Sequence, residues 1–566
     1  MIPSTTAIKP DDWASLDAAY TSLAEVDLSP DTICEWIQQW SDIEKMLEEA
    51  TALNYWKLSA NTNDPEVQKH YTYFWTEIMA KAMCAAHTLK KKLLACHWYQ
   101  PSPEHVEMIR RMKVEVDLFS EENAAIQSTI YARSQEFLAI IAAQTVTLGG
   151  QELTVPEAEQ RLYAQDRSQR ESAWRAIAAR KLQDRDAIDS LMLELFVMRQ
   201  NMARNSNLPN FRAHRWLDLK RFDYTPEDCL SLHESIIAEF VPLWCSIQEQ
   251  RKKNLELDTL RPWDLVADPC GLPPLRPFQT VEELMDGVGR ICTRIDPAIG
   301  EHFTWLRNNN YLDLEPRKNK AAGGFFYFLG QRGNGYIFYN AVGNHQDTIA
   351  LLHELGHAFH FYEAHQAQEL YWNVHQIPWE MIELPSLSME LLATPYLTRK
   401  EGGFYDSNED AGRAILDELE FAIGSMLRTS LSDAFQHWLY TQDAEDLKSS
   451  DLYRAWDQLV QRFFPIVDWS GFEDIRAAGW QTKHIVTHPF YSIEYVIAQL
   501  GAFQIWKNAQ HNEAETIRNL RRAHRLGASR PLPDLYEAAG IRFSLDREIV
   551  KELANYLELR LYEVMR

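Results

Sequence analysis

HQDTIALLHELGHAFH (345–360) is the stretch on which the reading of this 566-residue chain turns. Ile349, Leu352, Leu355 and Phe359 recur at three- and four-residue steps, which predicts an amphipathic helix, with Asp347 expected as its N-cap. Residues four apart lie one turn above each other. His353 and His357 can therefore present imidazole nitrogens to one Zn²⁺ at about 2.0–2.1 Å. Glu354 is displaced around the helix, close enough to hold an attacking water without being a ligand. With 18 histidines and 81 acidic residues, His-acid-x-x-His arises by chance roughly 0.08 times per chain of this size. The bare motif is only moderately specific, and a catalytic zinc site also needs a third protein ligand and an open position.

WEMIELPSLSMELL (379–392) offers that ligand. Glu383 lies far enough downstream for a connection and a second helix laid across the first. Ser386 and Glu390 share its face and are expected to orient the metal-binding side chains.

Working outward, residues 11–144 carry helical periodicity with few turn signals. TVTLGGQELTV (145–155) breaks it with short alternating runs around Gly149-Gly150, a hairpin signal. LRPWDLVADPCGLPPLRPF (260–278) is too rich in proline for a helix interior and reads as a long ordered loop. AGGFFYFLGQRGNGYIFYNAVG (322–343) reads as two aromatic strands joined by a glycine-rich turn, and the chain after it is mostly helical. The run YIFYNAV (336–342) is expected to be an exposed edge strand that pairs with an extended peptide through main-chain hydrogen bonds. Asn340, Ala341 and Gly343 would then bind substrate, with Gly343 permitting close approach.

The net charge of −24 opposes attraction to nucleic acid or anionic lipid. No apolar run approaches a membrane span, and the N-terminal residues carry no secretory pattern, so a soluble, cytoplasmic protein is expected. Seven scattered cysteines without a CxxC suit reduced thiols in that compartment. They indicate neither a disulfide framework nor a thiolate metal site.

HELGHAFH followed by ELPSLSME resembles the M3 family of oligopeptidases, the thimet oligopeptidase and oligoendopeptidase F group, and within it the bacterial branch close to Pz-peptidase. DRSQRESAW (166–174), RFDYTPEDC (221–229), LRPWDL (260–265), IFYNAVG (337–343) and KHIVTHPFYSIEYVIAQLGAFQIW (483–506) extend the resemblance from about residue 145 to the C-terminus. It implies a mainly α, two-lobed helical ellipsoid with a deep substrate channel and a small β-element beside the zinc. The expected organisation is an N-terminal helical lobe (1–190) followed by a catalytic region (191–566).

By position, the resemblance makes His353, His357 and Glu383 the ligands of one zinc per chain and Glu354 the general base. His484, Tyr491 and Tyr495 become distal residues facing the metal, where a phenol donor would stabilise the oxyanion. The branch pattern has a tyrosine where this chain has Ser492. The extra histidines His345, His360, His365 and His488 are expected to be structural. The implied activity is a zinc metalloendopeptidase acting on short peptides, with no nucleic-acid or membrane partner. The rivals are a metallocarboxypeptidase on a related helical scaffold and a peptide-binding protein without catalysis.

Overall fold

Short polar residues open the long helices, because the first backbone N–H groups of a helix have no partner within it. Thr225 caps Pro226–Asn254, Thr280 caps Val281–Ile295 and Asn344 caps His345–Ala367, each in a reciprocal capping box. The structure is a computed structural model describing residues 8–564, and helices dominate it.

Among the described residues there are five short strands: β1 (Thr145–Leu148), β2 (Gln151–Thr154), β3 (Leu312–Asp313), β4 (Phe325–Leu329) and β5 (Asn334–Phe338). β1 and β2 form the expected hairpin. Gly149 and Gly150 make its two-residue turn at φ of 58° and 82°, which a Cβ-bearing residue rarely adopts. β4 and β5 are the expected aromatic pair, antiparallel with Phe325 opposite Phe338.

The order β3-β5-β4 corrects one expectation. β5 is central, not an edge strand. β3 pairs with it in parallel, and beyond that the amides of Tyr339 and Ala341 donate to the carbonyls of Asp313 and Leu314. A two-residue strand surrounded by loop carries no periodicity of its own, so no sequence pattern marks a partner on that side. The free edge belongs to β4.

Contact density divides the chain along other lines than a single boundary at 190/191. One unit comprises the chain up to Asp117, Arg276–Ala414 and Gly501–Phe543, and the other Leu118–Leu275, Ile415–Leu500 and the chain from Ser544. Helices distant in sequence pack together in each, so neither unit is a continuous segment. The first holds the β3-β5-β4 sheet and the helices His345–Ala367 and Trp379–Leu392. Its core includes Trp36, Trp40, Leu47, Leu89 and Trp372, with Trp40 edge-on to Trp372 at 4.6 Å. Each fully buried Leu or Phe in such a core contributes about 1.5–3 kcal/mol. The second holds the β1-β2 hairpin and the helix Pro226–Asn254, and buries Phe196, Leu232, Phe240 and Leu427.

Candidate active site

The helix His345–Ala367 starts three residues earlier than Asp347 would make it as an N-cap. Asn344 is the cap, and Asp347 stands at the third helical position. Its Oδ2 accepts from the backbone N–H groups of Val342, Gly343 and Asn344 at 2.7, 2.7 and 3.0 Å. A carboxylate there satisfies the turn entering the helix and complements the positive end of its dipole. Gly343 (φ 90°) supplies the left-handed residue of that turn.

The second helix, Trp379–Leu392, crosses the first at a glycine. A Cβ on Gly356 would sit 2.5 Å from Ser386 Cα and 2.8 Å from the Pro385 carbonyl oxygen, so the two backbones touch. Pro385 lies inside the second helix and lacks an N–H. Beside it, the Ser386 hydroxyl donates to the Glu383 carbonyl at 2.8 Å. Because backbone cannot yield as a side chain tip does, Gly356→Ala is expected to cost about 1–3 kcal/mol or more by overpacking. It should also spread the site apart. The denaturation midpoint and the metal content of the variant check this, and values equal to the parent's would refute it.

This crossing brings His353, His357 and Glu383 together with ligand atoms within 4.8 Å of one another. The two Nε2 atoms are 3.2 Å apart, and Glu383 Oε2 lies 3.5 Å from His353 Nε2 and 3.7 Å from His357 Nε2. Two nitrogens bound to one tetrahedral ion at 2.0–2.1 Å would stand about 3.3 Å apart, so the spacing fits zinc. His357 Nδ1 donates to the Ile382 carbonyl at 3.1 Å, which leaves the Nε2 lone pair for a metal. Glu390 Oε1 lies 2.5 Å from His353 Nδ1 and holds that ring the same way. Ser386 touches Glu383 (3.4 Å to Oε2) rather than a histidine, so Glu390 alone of the two reaches an imidazole.

The electrostatics also suit a cation. Burial pulls both imidazoles down, and His357 is pushed to about 4. On His353 the hydrogen bonds to Glu383 and Glu390 outweigh burial and hold it well above the usual histidine value. The converging carboxylates thus retain a proton where a metal would place its charge. Glu354 is pushed up to about 7, chiefly by burial and by the charge of Glu383, against the opposing effects of His353 and a hydrogen bond from the Phe326 backbone N–H. That N–H belongs to the edge strand β4, so the outer rim of the sheet meets Glu354.

The expected substrate contacts at Asn340, Ala341 and Gly343 are engaged elsewhere. The Asn340 side chain donates to the Ala321 carbonyl at 2.7 Å, and the amides of Ala341 and Gly343 go to Leu314 and Asp347.

In the second unit, His484, Tyr491 and Tyr495 converge on one another. Their rings are 5.8 Å (His484–Tyr491) and 5.2 Å (Tyr491–Tyr495) apart, and the two phenol oxygens 3.4 Å. Tyr491 follows Phe490, a non-glycine residue at φ 65°, a conformation that persists only where the surroundings impose it. Three arginines do so: Arg199 donates to the Val486 carbonyl at 2.6 Å, Arg215 to that of Pro489 at 3.2 Å, and Arg221 to that of Phe490. None of them stood out in the sequence. Ser492 is buried at the start of the helix Ser492–Leu526. Of the extra histidines, His345 Nδ1 pairs with the Tyr405 hydroxyl at 2.9 Å and His488 Nδ1 with Thr487 Oγ1 at 2.5 Å.

Residues 160–555 match the model of peptidase family M3. Oligoendopeptidase F of Lactococcus lactis subsp. cremoris is 22% identical over 349 residues, 59% of this chain and 53% of that protein. Oligopeptidase A of Salmonella typhimurium is 22% identical over 285 residues, 40% of this chain and 41% of that protein. The chain thus aligns with about half the length of these relatives or less. In three dimensions, Pz peptidase A bound to an inhibitor superposes with a TM-score of 0.88 at 21% identity, over 98% of each chain. At that identity the likeness shows the fold.

Proposed function

The chain belongs to peptidase family M3, and from that premise we propose that it is a zinc-dependent metalloendopeptidase hydrolysing internal bonds of short, unstructured peptides. The observation that carries the reading is the set His353, His357 and Glu383 at metal-ligand spacing, with a buried carboxyl, Glu354, beside it. When bound, Zn²⁺ supplies Lewis-acid polarisation of the scissile carbonyl and acidifies the attacking water.

The chain's own residues do the rest. Glu354 accepts the water proton as the oxygen attacks and returns it to the departing amine. Glu390 and the Ile382 carbonyl keep the imidazoles in the tautomer that offers Nε2. To His484, Tyr491 and Tyr495 we assign the oxyanion-donor role that the resemblance implies. Their mutual convergence and the clamped Phe490 turn support it.

The peptide lies along the free edge of β4, not of β5. Phe326 directs its N–H outward to Glu354, and by alternation Gly324 and Phe328 direct theirs to the same side. A substrate added there must be extended with its backbone unpaired. A folded domain would first have to unfold, at about 5–15 kcal/mol. We place the activity in the cytoplasm. All seven cysteines are outside disulfides, and no described helix is long and apolar enough to cross a membrane.

Mass spectrometry of products from peptides acetylated at one end and amidated at the other tests the reading. Internal cuts are expected, together with no cleavage of a stable folded protein. Loss of activity on the amidated peptides, with single residues released from free C-termini, would make the protein a carboxypeptidase instead.

A further inference from the structure

Away from the HExxH site, the second unit buries a group of chemically similar residues. Cys229 and His233 are one turn apart on the helix Pro226–Asn254, and Asp433 and His437 one turn apart on the helix Asn408–Leu439. Cys229, Asp433 and His437 bring ligand atoms within 4.8 Å of one another. His233 Nε2 lies 3.0 Å and His437 Nε2 3.2 Å from the same oxygen, Asp433 Oδ2. Cys229 and Asp433 are 0% exposed, His437 2% and His233 3%.

We propose that Cys229, Asp433 and His437 form a second, structural Zn²⁺ site, with His233 held against Asp433 beside it. Both imidazoles stand within ion-pair reach of Asp433, but neither His437 nitrogen and neither Asp433 oxygen has a partner of good hydrogen-bond geometry. Buried imidazoles and a buried carboxylate in that condition are costly unless something else satisfies them. The 3.2 Å between His437 Nε2 and Asp433 Oδ2 matches the ~3.3 Å expected between N and O donors on one tetrahedral ion. A thiolate, an imidazole and a carboxylate are a donor set that favours zinc over the harder ions. Two negative ligands neutralise its charge, so the whole assembly can be buried.

All three protein donors are buried, which suits a structural site rather than a catalytic one open to substrate. It ties two long helices together directly behind the Phe490 turn. Gln436 Oε1 accepts from the Phe490 N–H at 2.5 Å, and the His437 ring packs edge-on against Phe490 at 5.2 Å. The ion thus fixes the helix turn that sets the backbone leading to Tyr491. The sequence carried the signal as C-x-x-x-H at 229–233 and D-x-x-x-H at 433–437. Neither spacing is that of a CxxC pair.

The test uses the full chain carrying His353→Ala and His357→Ala, which removes the HExxH ligands. Elemental analysis should find about one zinc per folded chain, against about two in the parent. X-ray absorption at the zinc edge should show a sulfur neighbour at about 2.3 Å. Adding Cys229→Ala should abolish that sulfur signal. A folded double variant that holds no zinc, or zinc with only nitrogen and oxygen neighbours, would overturn the proposal. So would a sulfur signal that survives Cys229→Ala. Because the HExxH ligands are absent from these variants, failure here leaves the peptidase reading untouched.

Discussion

Glu383→Ala is expected to remove the zinc held by the HExxH helix and nearly all peptidase activity while the protein stays folded. The expectation rests on the crossing of the two helices, which places Glu383 Oε2 within 3.5 and 3.7 Å of the two imidazole nitrogens. Removing it leaves two neutral donors and takes away the charge that opposes a divalent cation. The loss should exceed the roughly 10–100-fold in metal affinity typical of removing a residue that only orients a ligand. Glu390→Ala, which frees His353 Nδ1, is the internal standard for that smaller effect. Zinc content at low free metal, read alongside circular dichroism, checks both. If Glu383→Ala holds zinc as the parent does, Glu383 is not a ligand.

Glu354→Gln should separate metal binding from chemistry. The glutamine keeps the shape of the side chain and can still contact the Phe326 backbone, but it cannot accept the water proton. Zinc content and peptide affinity should change little. The kcat should fall by at least the roughly 10²–10⁴-fold attributed to positioned acid–base catalysis, with a much smaller change in KM. A zinc-loaded variant cleaving near the parental rate would remove Glu354 from the chemistry. Loss of zinc would instead assign the carboxylate to the metal site.

What could be read from the chain without coordinates was what is local in sequence. The motif helix showed in the spacing of Ile349, Leu352, Leu355 and Phe359, and both hairpins showed in their glycines, because helix and strand periods are written residue by residue. What the sequence hid depends on contacts between distant segments. β5 looked like an edge because its partner β3 is two residues long, and Asn344 and Asp347 exchanged capping roles because both are good candidates within three residues. Gly356 read as part of a motif, and only the crossing with Ser386 shows that it must lack a side chain. The four buried residues around Asp433 come from segments about two hundred positions apart, joined only by the packing of two helices.

Hydrolysis should require zinc at His353, His357 and Glu383. The most direct test is to strip the protein of metal with a chelator, confirm by circular dichroism that it stays folded, and add Zn²⁺ back while following an end-blocked, internally quenched peptide. Activity should vanish on stripping and return with added zinc in the parent, and fail to return in Glu383→Ala. Turnover by the stripped protein, or a folded and zinc-loaded parent that never cleaves the peptide, would contradict it.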